Sequence, residues 1–433
     1  MRILIRGGKP PHVPLAPEPS LARWGWGIFG ANVGNTLFLE SVYRAVNTPS
    51  SEVTVDSLYV ELTKRPDEIA AEINERFDLY VIPLANAFRG AFLPSLKRLT
   101  AVISRLDIPV VVVGVGGQAE IGSAMSGSDV DEATTEFVRA VLQRSSSVGV
   151  RGEDTARYLL SLGFGPDDVP VIGCPSLFDH AGDLVIREDD AELGPESPIA
   201  MNITPSAGVE ELVRHNTARY PRLTYIPQEH HELAMLLWGT DAAAGHPELP
   251  LHTGHPLYQE DRIRFFLDPR TWLGFMREQR FAFGTRIHGT IAALAAGTPG
   301  VLLAHDARTL ELARYHRIPH RLLADGELDA ARLHAAASFD DFNGFMPEAF
   351  RRYVYFLSQN GVPNIHQPGE ANPEYAELLD AVAFPPGVRT FANESTPFER
   401  ELLRKLEWLR QGAAEDKNRW RGGYVPEWKP RAS

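Results

Sequence analysis

The sequence is poor in the features that mark secreted, membrane-spanning and metal-built proteins. Its 433 residues include one cysteine, Cys174. A lone thiol excludes an internal disulfide, so a reducing cytoplasm is the expected compartment. No apolar run approaches the ~18 residues that cross a bilayer, so stable membrane insertion is not expected. The opening MRILIRGG reads as a strand rather than a signal peptide. Positive charge is scarce as well: 43 Lys and Arg stand against 56 Asp and Glu, a formal net charge of −13. Nucleic acid and anionic membranes need a broad basic surface, so neither is an expected partner. Metal signatures are missing. His230 and His231 are adjacent, but the H-E-x-x-H spacing is absent, and neighbouring residues do not comfortably share one tetrahedral ion. Cys174, between Gly173 and Pro175, has no base near it in sequence and reads as a buried structural thiol.

What is present is alternation. With 44% hydrophobic and 23% charged residues the composition is that of an ordinary globular protein. Strands are expected at 1–6, 52–58, 78–83, 108–113, 147–151 and 169–173, with helices of ~10–15 residues between them, the pattern of a parallel sheet covered on both faces. Acidic residues and turn formers at 179–197 mark a domain boundary. A second series follows, with strands at 199–203, 223–227, 263–266, 281–284 and 300–304. From Asp340 the chain turns helical and polar, with a last helix at 398–411 and an Arg-, Trp-, Pro- and Gly-rich tail. The expected fold is α/β: two Rossmann-like doubly wound domains, 1–185 and 195–335, facing a central cleft. A helical extension, 336–433, completes it.

The most informative stretch is Phe281 to Asp306, FAFGTRIHGTIAALAAGTPGVLLAHD. It reads as strand, loop, alanine-rich helix and strand, with Gly297 as the helix C-cap and Pro299 as the stop. Ligands of open α/β sheets sit beyond the carboxyl ends of strands, near helix N-termini that favour anions. Arg286 and His288 fall at such a junction, and an extended loop would turn both toward one cleft. Gly284 and Thr285 before them and the small-residue helix after them clear space around the pair, and His305-Asp306 ends the next strand on the same rim. Arg151, at a strand end, is a further candidate cation. In the first half, Asn32, Gly34 and Asn35 stand at a helix N-terminus, with Asn35 or Thr36 as the expected cap. Gly114 to Gln118 follows a strand, and Gln228 opens a polar loop after another. Gly25-x-Gly27-x-x-Gly30 matches a dinucleotide fingerprint only literally, because it neither follows the first strand directly nor has room beside Trp26 and Phe29.

These stretches together resemble the polysaccharide pyruvyl transferase family. The resemblance runs through the Asn32–Gly34 loop, VGVRGEDTARYLLSLG (148–163), GCPSLF (173–178), MNITP (201–205) and above all GTRIHGTIAALAAGTPGVLL (284–303). It covers about 30 to 320. The family has aspartate where this chain has Asn35, and commonly a glycine pair where this chain has Pro83-Leu84-Ala85-Asn86-Ala87-Phe88-Arg89. The resemblance implies a GT-B-like fold and phosphoenolpyruvate as donor. It also implies a sugar or glycan acceptor and a pyruvate ketal as product. No further cofactor or metal is implied, and a homo-oligomer is left open. By carry-over, Arg286 and His288 are the catalytic pair. Arg151, Thr285, Gly289 and His305 complete the donor side, while Asn32, Gly34, Asn35, Asn86, Gln118 and Gln228 lie on the acceptor side. Two other readings stay open: a glycosyltransferase using a nucleotide sugar, and a catalytically silent sugar-binding protein.

Overall fold

Strand β1, Arg2–Ile5, carries three consecutive fully buried residues, Ile3, Leu4 and Ile5. Uninterrupted burial of that kind belongs to a strand covered on both faces. A computed structural model describes residues 1–22, 28–119, 121–122, 127–188, 191–241, 246–390, 402–407, 410 and 424–431. The literal glycine fingerprint therefore lies largely outside the described residues. After β1 come β2 (Ile28–Ala31), β3 (Glu52–Val55), β4 (Leu79–Pro83) and β5 (Val110–Val113). The first sheet is parallel, in the order β3-β1-β4-β5. The strands expected at 147–151 and 169–173 reduce to single parallel bridges, Val115 to Val150 and Val150 to Val171. Pro170 has no N–H to give, which interrupts the ladder, although the N–H groups of Val148 and Val150 still donate to the carbonyls of Asp168 (2.8 Å) and Pro170 (3.0 Å).

The second sheet holds β6 (Ile199–Asn202), β7 (Leu223–Tyr225), β8 (Phe281–Gly284), β9 (Gly300–Ala304) and β10 (His320–Leu322). It too is parallel, in the order β10-β9-β8-β6-β7. Residues 263–266, expected as a strand, make only a parallel bridge from Ile263 to Tyr225 and an antiparallel one from Phe265 to Val388. Two parallel sheets with helices on their faces are the expected pair of Rossmann-like units. One segment crosses between them. Leu15, Ile28, Phe29 and Val33 are buried in the core of the second sheet, although the chain has only just left β1.

The extension returns to the first half. Helix Asp340–Gln359 ends at Asn360, whose Oδ1 accepts from the N–H groups of Ser146 (3.0 Å) and Ser147 (3.1 Å). Ile365 N–H donates to the carbonyl of Ala45 (2.8 Å). Helix Pro373–Ala381 follows. Of the helix expected at 398–411, residues 398–401, 408–409 and 411 lie outside the described residues; 402–407 are helical. Near the C-terminus, Trp428 is fully buried and donates from Nε1 to Glu72 (2.8 Å). No described helix is long and apolar enough to cross a membrane.

Candidate active site

The carboxyl ends of the two sheets face each other, which is where this architecture puts ligands. Hydrogen bonds across the gap fix the approach. Ala307 N–H donates to the carbonyl of Ala119 (3.1 Å), and Thr155 N–H donates to Glu311 Oε1 (2.6 Å). Gly34 lies directly against the imidazole of His288: a Cβ built there would stand 2.2 Å from Nδ1. Helix Asn35–Val46, with Gly34 as its N-cap, thus meets the Arg-x-His motif only because residue 34 has no side chain.

The motif is built locally as follows. β8 ends at Gly284 with φ +144 and its Cα against the Asn202 carbonyl, so close that a Cβ would fall 1.8 Å from that oxygen. Only glycine tolerates both conditions. Thr285 is fully buried, and its Oγ1 accepts from Thr204 N–H (2.7 Å). Arg286 is the N-cap residue of helix Ile287–Ala295. His288 therefore lies in the first helical turn rather than in an extended loop. Gly297, with φ +83, closes the end of this element as expected. Gly289 admits the side chain of Asn202, whose Cγ would lie 2.0 Å from a Cβ at that position.

Arg286 donates from Nε to the Ile203 carbonyl (3.0 Å) and from Nη2 to Glu229 Oε1 (2.6 Å). It is therefore both a half-buried cation on the cleft and one half of an ion pair. Glu229 is the N-cap of helix His230–Trp238, so the two adjacent histidines start a helix and do not line a loop. Burial first, then Arg308, Arg286 and Arg151, push the pKa of His288 down to about 3. The imidazole is neutral and accepting at physiological pH. Arg151 is buried beneath Gly116, its Nε without a partner among the described residues, and burial holds its pKa down to about 10 despite the opposing pull of Glu311. His305 borders Asp306 (3.8 Å), and its pKa is lowered, chiefly by burial.

Two cations missed in the sequence join this group. Arg308, in the first turn of helix Ala307–His316, reaches Asp306 at 3.3 Å and is the strongest charge acting on His288. Arg89, on the loop after β4, feels Arg308 across the gap. A hint of the first was the Asp306-x-Arg308 spacing, which alone reads as a helix cap with an ion pair.

The first-half candidates divide. Asn32 Oδ1 accepts from Gly34 N–H (2.7 Å), leaving its buried Nδ2 without a partner among the described residues. Gly34 is the N-cap position, and neither Asn35 nor Thr36 caps the helix; Asn35 instead ties the Phe29 carbonyl (3.0 Å). Asn86 donates to Gln118 Oε1 (3.1 Å), joining two cleft loops. Gln228 is fully buried, and its carbonyl accepts from Val33 N–H (3.2 Å). Neither its amide atoms nor those of Asn202 have a partner among the described residues. Buried amides are costly to leave unpaired, so this floor is suited to a ligand rich in hydroxyl groups. Cys174 is buried and its thiol pKa is raised by burial; its N–H donates to His316 Nε2 (2.8 Å), the structural setting expected of it.

No group of three or more His, Cys, Asp or Glu side chains is placed to hold a metal ion among the described residues. A groove of about 790 Å³, lined by His215, Arg219, Asp329, Arg332 and His334, opens near the amino end of β9. That is the opposite end of the sheet from the cleft, and none of the candidate residues lines it.

Among known proteins, the family described as polysaccharide pyruvyl transferase matches residues 32–307, well over half of the chain. No curated protein matches it. Several solved structures are similar at low identity. S. aureus MnaA with UDP is 13% identical, with 86% of this chain and 100% of that one covered and a TM-score of 0.42. Anabaena Alr3699/HepE in complex with UDP and glucose is 14% identical, covering 88% and 100%, TM-score 0.41. The UDP-GlcNAc 2-epimerase of Methanocaldococcus jannaschii is 11% identical, covering 83% and 99%, TM-score 0.44.

Proposed function

The chain belongs to the polysaccharide pyruvyl transferase family, and from that premise we propose that it moves a pyruvyl group from phosphoenolpyruvate to a sugar, forming a pyruvate ketal. The observation that carries this reading is the convergence of Arg151, Arg286 and Arg308 on the neutral imidazole of His288. Each of these arginines also faces a carboxylate, Glu311, Glu229 and Asp306 respectively, so an anionic donor competes for guanidinium forks already held at the cleft. Phosphoenolpyruvate packs about three negative charges into a small volume, and guanidinium forks hold carboxylate and phosphate bidentately.

In this reaction two sugar hydroxyls add to C2 of the donor and the C2–O bond to phosphate breaks. One hydroxyl proton is taken up at the methylene carbon, which becomes the methyl group. The other leaves with the phosphate. His288, neutral and facing Gly34, is fitted to accept a hydroxyl proton as the carbon–oxygen bond forms. The bound donor's negative charge opposes the three guanidinium groups and raises the imidazole pKa, which favours that transfer. The arginines stabilise charge on the departing phosphate. Asn32 Nδ2 and the side-chain amides of Asn202 and Gln228, without partners among the described residues, are available to acceptor hydroxyls.

Calorimetry with phosphoenolpyruvate tests the assignment. Wild type is expected to bind, and Arg286→Ala to bind roughly ten- to a hundredfold more weakly, the loss of one charge-assisted contact. Binding of UDP without binding of phosphoenolpyruvate would overturn it in favour of a nucleotide-sugar enzyme.

A further inference from the structure

Each second-half arginine of the cleft has a resident carboxylate. Arg286 holds Glu229 at 2.6 Å and Arg308 holds Asp306 at 3.3 Å. Arg151, from the first half, faces Glu311. Arg89 differs. Its Nε donates to the Asn86 carbonyl (3.1 Å), and no carboxylate pairs with it among the described residues. It is half-buried nonetheless. A partly desolvated guanidinium without a counter-charge is an expensive arrangement unless an anion visits it.

Its position is fixed by a chain of backbone contacts. Phe88 N–H donates to the Gly116 carbonyl (3.2 Å), and Gln118 N–H returns to the Phe88 carbonyl (3.4 Å). Ala119 then accepts from Ala307 N–H (3.1 Å), the residue before Arg308. The loop carrying Arg89 therefore lies along loop 114–119, and that loop abuts the helix start carrying Arg308. The same loop covers Arg151 through Gly116. Arg308 is consistent with this placement: its Nε is buried without a partner among the described residues, and its charge is the one felt at Arg89.

We propose that Arg89 of the first half and Arg308 of the second form a clamp across the cleft for the anionic end of the donor. Resting on the phosphoenolpyruvate reading, this makes donor binding a property of both halves. It also moves the 83–89 loop from acceptor recognition to donor binding. That loop departs from the family's glycine pair, so the grip belongs to this chain.

Calorimetry of the full chain with phosphoenolpyruvate decides it, using wild type, Arg89→Gln, Arg89→Lys and Arg308→Gln, each checked for folding by circular dichroism and melting. Both glutamine variants are expected to weaken binding roughly ten- to a hundredfold, with the lysine variant in between because it keeps charge but loses the fork. If wild type binds and both glutamine variants bind equally well, the clamp is wrong while the donor assignment stands. If wild type itself does not bind, the donor assignment fails and the clamp with it. Should Arg89→Gln not fold, the Arg89→Lys and Arg308→Gln titrations carry the same decision.

Discussion

At the scale of single residues, two glycines do opposite kinds of work. Gly34 has φ −58, a value any residue adopts, so its only demand is space for the His288 ring. Gly34→Ala is expected to push the imidazole aside, lowering kcat/KM at least about tenfold through misplacement, with little change in melting temperature. Gly284 combines φ +144 with a backbone carbonyl 1.8 Å from any Cβ. Neither can give, so Gly284→Ala should destabilise the fold by about 3 kcal/mol or more and be seen as a large drop in urea midpoint. Glu229→Gln keeps a hydrogen-bond acceptor for Arg286 but removes the competing charge, so donor affinity measured by calorimetry should rise several-fold. The Gly-Thr-Arg-Ile-His-Gly wording was legible because small residues around paired cations have few structural uses. Arg89 and Arg308 were not legible. Nothing in a linear chain says that positions more than two hundred residues apart will share one cleft.

At the scale of elements, periodicity located most helices and strands, and errors gathered where backbone partners decide the outcome. Residues 147–151 and 169–173 look like strands but yield single bridges. His230 and His231 look like loop residues, yet Glu229 caps a helix that contains them. The proline-rich run after β1 reads as surface loop, and parts of it are buried against the second sheet. The long helix Asp340–Gln359 is held to the first half by apolar contacts, Tyr353 stacked on Phe178 at 5.2 Å and Phe356 against Gly149, and by the polar contacts of Asn360. Its amide accepts from two N–H groups and donates to Ser147 Oγ (3.1 Å) and the Phe356 carbonyl (2.9 Å). Asn360→Ala leaves the buried Ser147 N–H unpaired and hands the more exposed Ser146 N–H to water, so a loss of about 1–3 kcal/mol is expected in chemical denaturation.

For the whole molecule, buried titratable groups predict a stability optimum on the acid side of neutrality. Burial pushes His316 down to about 3 and His255 down, again chiefly by burial, to about 4. Below the unfolded value of ~6.5 the unfolded chain takes up protons that these folded histidines refuse, so stability falls as pH falls. Glu40 and Asp56 act in the other direction. Burial raises them to about 8 and about 6. Above ~4.5 the unfolded chain releases protons that these folded carboxyls keep, so stability falls as pH rises through those values. Melting temperature should therefore decline both from pH 6 to 8 and from pH 5 to 4. Glu40→Gln, a neutral mimic of the protonated acid, should flatten the alkaline limb, and His316→Gln the acid limb.

The order of residues alone determined that two parallel α/β units would form, because uninterrupted apolar strands spaced by amphipathic helices bury themselves in no other common way. It also determined that a strand–helix junction carrying Arg286 and His288 follows β8, since local spacing sets what such a turn can present. Tertiary structure decided the rest: which loops meet, that Gly34 admits His288, and which arginines already have a carboxylate. Those outcomes depend on charges and surfaces brought together across the cleft, and distance through space is not written in distance along the chain.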